Sequence, residues 1–241
     1  MLRYYNDISE ERMEEKKEQL HKDHRSRLRK RYEENGLDSF EDHNVLELLL
    51  FYAIPRRDTN PAAHRLISKF GSLSGVFSAS VEELQTVEGI GKSSAEYLAL
   101  VRETGRRCML DALSERPFTE RERIGEYLVH WFSGKPRQTS CLLALDSEMF
   151  LKKVFTVNSG IELKPQSVTL AAEEFALSSG FPKMIIAHNH SDGRMIPSAE
   201  DRVISRTLSE RLRGHGIELC AHYIVSGMDY TEFDFRFTED R

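Results

Sequence analysis

No run of apolar residues in this chain approaches the ~20 needed for a membrane-spanning helix, so a helical membrane protein is excluded. The first residues are dense in charge and lack the apolar stretch of a secretory signal, so the expectation is a cytoplasmic protein. Cysteine is scarce. Cys108, Cys141 and Cys220 are odd in number and form no Cys-x-x-Cys pair, which excludes a disulfide framework and fits reduced thiols. Cys141 and Cys220 sit in apolar runs and read as core residues. There is no excess of positive charge either: with 30% charged residues and a net charge of -5, the molecule as a whole is not nucleic-acid-like. The 241 residues leave room for one large domain or two modest ones.

Residues 1–35 form a charged leader with few apolar positions, expected to be helical. Lys22, Arg25, Arg27, Arg29, Lys30 and Arg31 concentrate positive charge there. Such a run is either a phosphate footprint or a solvated helix face balanced by Glu11, Glu14, Glu15 and Glu18. Residues 36–110 read as a helical domain. Asn44 can cap the apolar run from Val45 to Tyr52, and Asn60-Pro61 opens a helix that ends at Phe70-Gly71. Gly89-Ile90-Gly91 turns the chain into a further helix carrying Ala95, Leu98 and Val101. This resembles a helix-hairpin-helix, in which Gly89 and Gly91 allow close backbone approach while Lys92 and Ser93 stand at a helix start where a phosphate can be met. An αα-hairpin used only for packing has the same pattern. Binding there would be to the DNA backbone and largely indifferent to sequence.

Residues 111–119 read as a linker closed by Pro117, and residues 120–241 as a mixed α/β domain. Helices are expected over 121–132, 167–178 and 198–213, and strands over 140–145, 152–157, 184–188 and 219–225. The strand Met184–Ala187 leads into His188-Asn189-His190. Side chains two apart on a strand share a face, so both imidazoles aim at one point. Seven residues separate His190 from Ser198, and Asp201 follows. If Asp192-Gly193 and Pro197 turn the chain back, Asp201 adds a carboxylate to the two imidazoles, and two His, one carboxylate and a water make a catalytic zinc shell. Ser198 through Asp201 also fits a helix N-cap, and the two readings are compatible. His215 and His222 lack ligand spacing to the pair and read as surface or core residues.

Ala-His-Asn-His, then Gly193, then Pro-Ser-x-x-Asp resembles the JAMM (MPN-plus) metalloprotease motif and, in its details, the bacterial RadC family. Phe70-Gly71-Ser72-Leu73, the stretch from Ala79 to Leu84, Gly89-Ile90-Gly91 and Leu142–Asp146 follow in the family's order, so the resemblance covers about residues 24–226. It implies an α+β, mixed-sheet JAMM/MPN-like domain behind a small all-α, DNA-repair-like domain. It also implies Zn²⁺ held by His188, His190 and Asp201, with Ser198 near the oxyanion or the attacking water. The family's proton-carrying glutamate lies ahead of the strand ending in Leu-Asp, and Gln138 stands at the matching place. An amide cannot relay a proton as a carboxylate does. Glu148, Glu162, Glu173 or Glu174 would have to substitute in space, and nothing in the sequence places them there. Three functions stay open: a zinc metallohydrolase cutting peptide or isopeptide bonds in a protein substrate, a DNA-associated accessory protein with a zinc site lacking turnover, and a binding scaffold. Neither oligomeric state nor substrate identity follows from the sequence.

Overall fold

Leu46, Leu50, Leu66, Val76, Leu84 and Leu98, spaced along consecutive helices, are all buried together in one apolar core. They belong to the first of two units into which the chain divides, with the boundary between Thr104 and Gly105. The computed structural model describes residues 24–135, 138–160, 164–190 and 193–235. Most of the charged leader, with Lys22, and also Glu162, Ser191 and Asp192 lie outside these residues.

The first unit contains α1 (24–35), α2 (Asp42–Ala53), α3 (Asn60–Phe70), α4 (Leu73–Ser78), α5 (Val81–Gln85) and the start of α6 (Lys92–Ser114). Asn44 is not the cap of α2. The N-cap is Glu41, and Asn44 donates its backbone N–H to the Glu41 carbonyl at 2.8 Å from within the first turn. An acidic residue suits that turn's exposed N–H groups, and Asp42 occupies it while its Oδ2 accepts the Leu73 N–H at 2.9 Å.

Nor is α1 merely a solvated helix. Leu28 is buried with Leu48 and Phe51 of α2. Arg25 closes the C-terminal end of α2, its guanidinium donating to the carbonyls of Ile54 at 2.6 Å, Pro55 at 2.8 Å and Arg57 at 2.5 Å. His24 Nε2 lies 2.8 Å from Oε1 of the fully buried Glu47, whose Oε2 accepts from Asn60 at 3.0 Å.

α6 continues through Ser114, four residues into the stretch read as linker. Nothing before Pro117 breaks the helix, and Leu110 and Leu113 pack on the core of the second unit.

That second unit is α+β. After α6 come α7 (Arg121–Phe132), β1 (Ser140–Leu145), β2 (Leu151–Asn158), α8 (Pro165–Ser179), β3 (Lys183–Asn189), α9 (Ala199–Gly214), β4 (Glu218–Ser226) and β5 (Asp229–Phe233). The five strands form one mixed sheet in the order β2-β1-β3-β4-β5. Only β3 and β4 are parallel, and a parallel pair needs a crossover, which α9 supplies. Strand alternation sorts the side chains. Cys141, Leu143, Leu145, Ile185, Ala187, Tyr223 and Val225 pack with α7 on one face. Leu142, Ala144, Met184, Ile186 and Ile224 pack with α8 and α9 on the other. β5 was not expected from sequence: Asp229 to Phe233 is short and mostly half-exposed, and its pairing with β4 decides its conformation.

Candidate metal centre

His188 lies in the last turn of β3's alternation, on the face of Met184 and Ile186, so it points toward the α8 and α9 layer. His190 stands just past the strand, where its backbone N–H still donates to the Val225 carbonyl of β4 at 2.8 Å. The crossover connection brings the start of α9 back to this same end of β3, as parallel βαβ geometry requires. Ser198 is the N-cap of α9 and Asp201 its N3 residue. They form a capping box: the Asp201 N–H donates to Ser198 Oγ at 3.1 Å, and the Ser198 N–H donates to Asp201 Oδ2 at 2.7 Å.

Asp201 therefore arrives beside the two rings already oriented. His188 Nε2 is 2.9 Å from His190 Nε2 and 3.3 Å from Asp201 Oδ1, and His190 Nε2 is 3.8 Å from Asp201 Oδ2. Four ligands at zinc's ~2.0–2.1 Å in a tetrahedron sit roughly 3.3 Å from one another, and the three measured separations straddle that value. His190 Nδ1 donates to the Arg194 carbonyl at 2.9 Å, which leaves Nε2 of the neutral ring as a bare lone pair facing the other two donors. Two imidazole nitrogens and a carboxylate oxygen meeting this closely fit a divalent cation, and these three side chains form a possible metal site.

Burial works against ionisation of Asp201, yet a hydrogen bond from His188 in its protonated form, the charge that form carries, and the Ser198 contacts outweigh it and hold the carboxyl well below the usual range.

The donors open on a cleft of about 200 Å³ whose wall also includes Gln138, Asn158, Asn189, Glu200 and His222. Gln138 adopts a positive φ of 53°, and the adjoining Thr139 is tied to β3 by its N–H on Asn189 Oδ1 at 2.8 Å. Glu200 is exposed at the cleft. Of the carboxylates considered from sequence, Glu173 is engaged with Arg211 at 2.7 Å, while Glu148 follows the turn after β1, where its N–H donates to Asp146 Oδ1 at 3.0 Å. Ser198 reaches the site through Asp201: its hydroxyl donates to Oδ2 at 2.7 Å, so its proton is aimed at the carboxylate.

Two residues that the sequence reading passed over, Glu200 and Ser205, belong here, and His222, read as a surface or core residue, is buried beside them. Glu200 was hidden as a helix first-turn acid. His222, fully buried on β4, sits with Nε2 2.8 Å from His188 Nδ1. Ser205, one turn beyond Asp201, sits with Oγ 2.5 Å from His222 Nδ1. The only sequence signal for His222 was its place on the sheet face shared with Ile224.

Gly89 and Gly91 of the turn before α6, with Lys92 and Ser93 at its start, come together at a separate open groove of about 580 Å³, where Arg56 and Arg57 join them. Gly89 has a φ of 92°, whereas a Cβ on Gly91 would meet open space. Lys92 pairs with Glu96 at 3.8 Å.

The sheet, its crossover helix and the donor set at their junction define a JAB-type domain, and comparison with known proteins agrees. Residues 118–237 match the family model described as "RadC-like JAB domain". A UPF0758 protein of Fusobacterium nucleatum is 30% identical over 227 residues, covering 87% of this chain and 94% of that one. A UPF0758 protein of Burkholderia mallei is 29% identical over 206 residues, covering 85% of this chain and 74% of the relative. One of Burkholderia thailandensis is 28% identical over 206 residues, covering 85% and 79%. The chain belongs to the RadC family. Among the described residues, no helix is long and apolar enough to cross a membrane.

Proposed function

We propose that this protein is a zinc-dependent metallohydrolase that cuts a peptide or isopeptide bond in a protein substrate. The observation that supports this most is the meeting of His188 Nε2, His190 Nε2 and Asp201 at one cleft, with donor separations suited to a tetrahedral ion. When bound, zinc supplies Lewis acidity, polarising a carbonyl and bringing the pKa of water down to about 7.

The chain's own residues do the rest. Gln138 lines the cleft at the place of the family's proton-carrying glutamate, and as an amide it cannot take up a proton. Glu200 carries the proton: it accepts one from the attacking water and delivers it to the departing amine, so the C–N bond breaks to a carboxylic acid and an amine. Ser198 orients Asp201.

Zinc analysis followed by hydrolysis assays on wild type, Glu200→Gln and Gln138→Glu tests the reading. About one zinc per chain, lost in His188→Ala, is expected, with turnover reduced in Glu200→Gln and created or raised in Gln138→Glu. A metal-free wild type that takes up no added zinc overturns it. Zinc-loaded protein with no turnover in either wild type or Gln138→Glu favours a non-hydrolytic accessory role.

A second reading, association with DNA, draws support from the helical groove. Arg56, Arg57 and Lys92 put three cations around the Gly89–Gly91 turn, a surface suited to phosphates rather than base edges. Duplex binding should then weaken with salt, with a shallower salt slope in Arg56→Ala/Arg57→Ala. No binding at low salt removes this reading.

A further inference from the structure

The polar groups behind His188 form a chain with only one self-consistent direction. Ser205 Oγ lies 2.7 Å from the main-chain oxygen of Asp201. A carbonyl oxygen accepts and never donates, so the single hydroxyl proton of Ser205 points at it. What Ser205 offers to His222 Nδ1, 2.5 Å away, is a lone pair, and that nitrogen must carry an N–H.

His222 is 1% exposed and lies against the Phe233 ring, centroid to centroid 4.4 Å. Burial away from solvent leaves an imidazolium unsolvated, so the ring holds one proton only. Its Nε2 is then bare and accepts from His188 Nδ1, 2.8 Å away. A neutral His188 with its proton on Nδ1 has Nε2 free, and Nε2 is the atom 3.3 Å from Asp201 Oδ1.

We infer that Ser205 and His222 are positioning residues that fix the Nδ1–H tautomer of His188 and so keep its Nε2 available as a metal donor. The chain starts on the backbone of one donor residue, Asp201, and ends on the ring of another. It crosses α9, β4 and β3, so the helix that delivers the carboxylate also sets the proton on the imidazole. His190 reaches the same state in one step, through the Arg194 carbonyl. Outer partners of this kind orient a ligand ring and raise its basicity.

The affinity part of this inference rests on the zinc reading above; the tautomer part does not. Long-range proton–nitrogen NMR on ¹⁵N-histidine-labelled, metal-free protein, at a mildly alkaline pH where ordinary imidazole is neutral, reads both rings directly. Wild type should show His188 and His222 with the proton on Nδ1. Ser205→Ala leaves His222 Nδ1 without its acceptor, so the two rings should redistribute toward Nε2–H. Zn²⁺ affinity, measured by competition with a chelating dye, should fall about 10–100-fold. Ser205→Thr, which keeps the hydroxyl, should restore both readouts. His222→Phe keeps a ring against Phe233 and should lower affinity by a similar factor; if its melt shows it unfolded, the Ser205 pair decides alone.

Nε2–H on His188 in wild type overturns the inference, as does a Ser205→Ala protein with unchanged tautomers and unchanged Zn²⁺ affinity. Wild type with the expected tautomers that takes up no Zn²⁺ refutes the zinc reading and leaves the proton order standing.

Discussion

Ser198 and Asp201 bond to each other three times: the serine N–H and Oγ–H both donate to Asp201 Oδ2 at 2.7 Å, and the aspartate N–H returns a bond to Oγ at 3.1 Å. One carboxylate thus closes the start of α9 and faces the imidazole pair. Its pKa is depressed in the folded state, against about 3.9 in the unfolded chain. A depressed carboxyl contributes stability that is fully present above the unfolded value and is lost as pH falls toward the folded one. In metal-free protein, Asp201→Asn should cost about 1–2 kcal/mol at neutral pH, and the gap to wild type should narrow as the pH drops below 4. Denaturant midpoints of both proteins across that range check this. A gap that stays constant with pH would mean the carboxylate is not stabilised by folding.

Zinc should stabilise the second unit by mass action. With free Zn²⁺ at a hundredfold excess over its dissociation constant, the gain is about 2.7 kcal/mol. Calorimetry of chelator-treated protein with and without Zn²⁺ should show the second unit's transition move upward in wild type and stay in place in His190→Ala.

Arg25 is a further test, this time of how the first helix is held. Its guanidinium serves four carbonyls at the end of α2, those of Phe51, Ile54, Pro55 and Arg57, and lies 4.6 Å from the Phe51 ring centre. Arg25→Ala should destabilise the helical unit by about 1–2 kcal/mol. Arg25→Lys should recover little of that, because one ammonium cannot span the fork. Urea unfolding followed on that unit measures both.

Gly89 and Gly91 should separate folding from binding. Alanine at 89 must take a φ of 92° and brings its Cβ to 3.2 Å from Ala62 Cβ, at a cost of about 1–2 kcal/mol. Alanine at 91 meets nothing within 4 Å and should change stability by less than about 1 kcal/mol. If the turn approaches a DNA backbone closely, Gly91→Ala should weaken duplex binding while its melting point stays near wild type. Equal losses of stability in the two variants would contradict the backbone geometry.

The parts of this molecule that read clearly in the sequence are those whose signal is local. The apolar runs of β1 and β3 and the spacing from His188 to Asp201 carry periodicity and turn chemistry within a few residues. α7 was delimited at Arg121 and Phe132, the bounds it has. Where the decisive partner is distant in sequence, the reading failed. Arg25 looked like one charge in a basic run, because the carbonyls it serves lie about thirty residues on. Asn44 looked like a cap, but the helix begins earlier around Asp42, whose side chain also receives Leu73. His222 looked like a core histidine: its importance comes from the parallel register that sets it opposite Ile186, next to His188, across 34 positions of chain. Nothing local in the sequence marks Arg56 and Arg57; the fold brings them to the same groove as Gly89 and Lys92.

β3 has a neighbour hydrogen-bonded along each edge, β1 on one side and β4 on the other. Its amides can exchange with solvent only when both ladders part, so they should be among the slowest in the second unit. His188 therefore stays anchored for as long as the sheet survives, whereas Asp201 sits in the opening turn of a helix, where fraying begins. Loss and recapture of an ion at this centre would then follow the breathing of α9, with the imidazole waiting in place for the carboxylate to return.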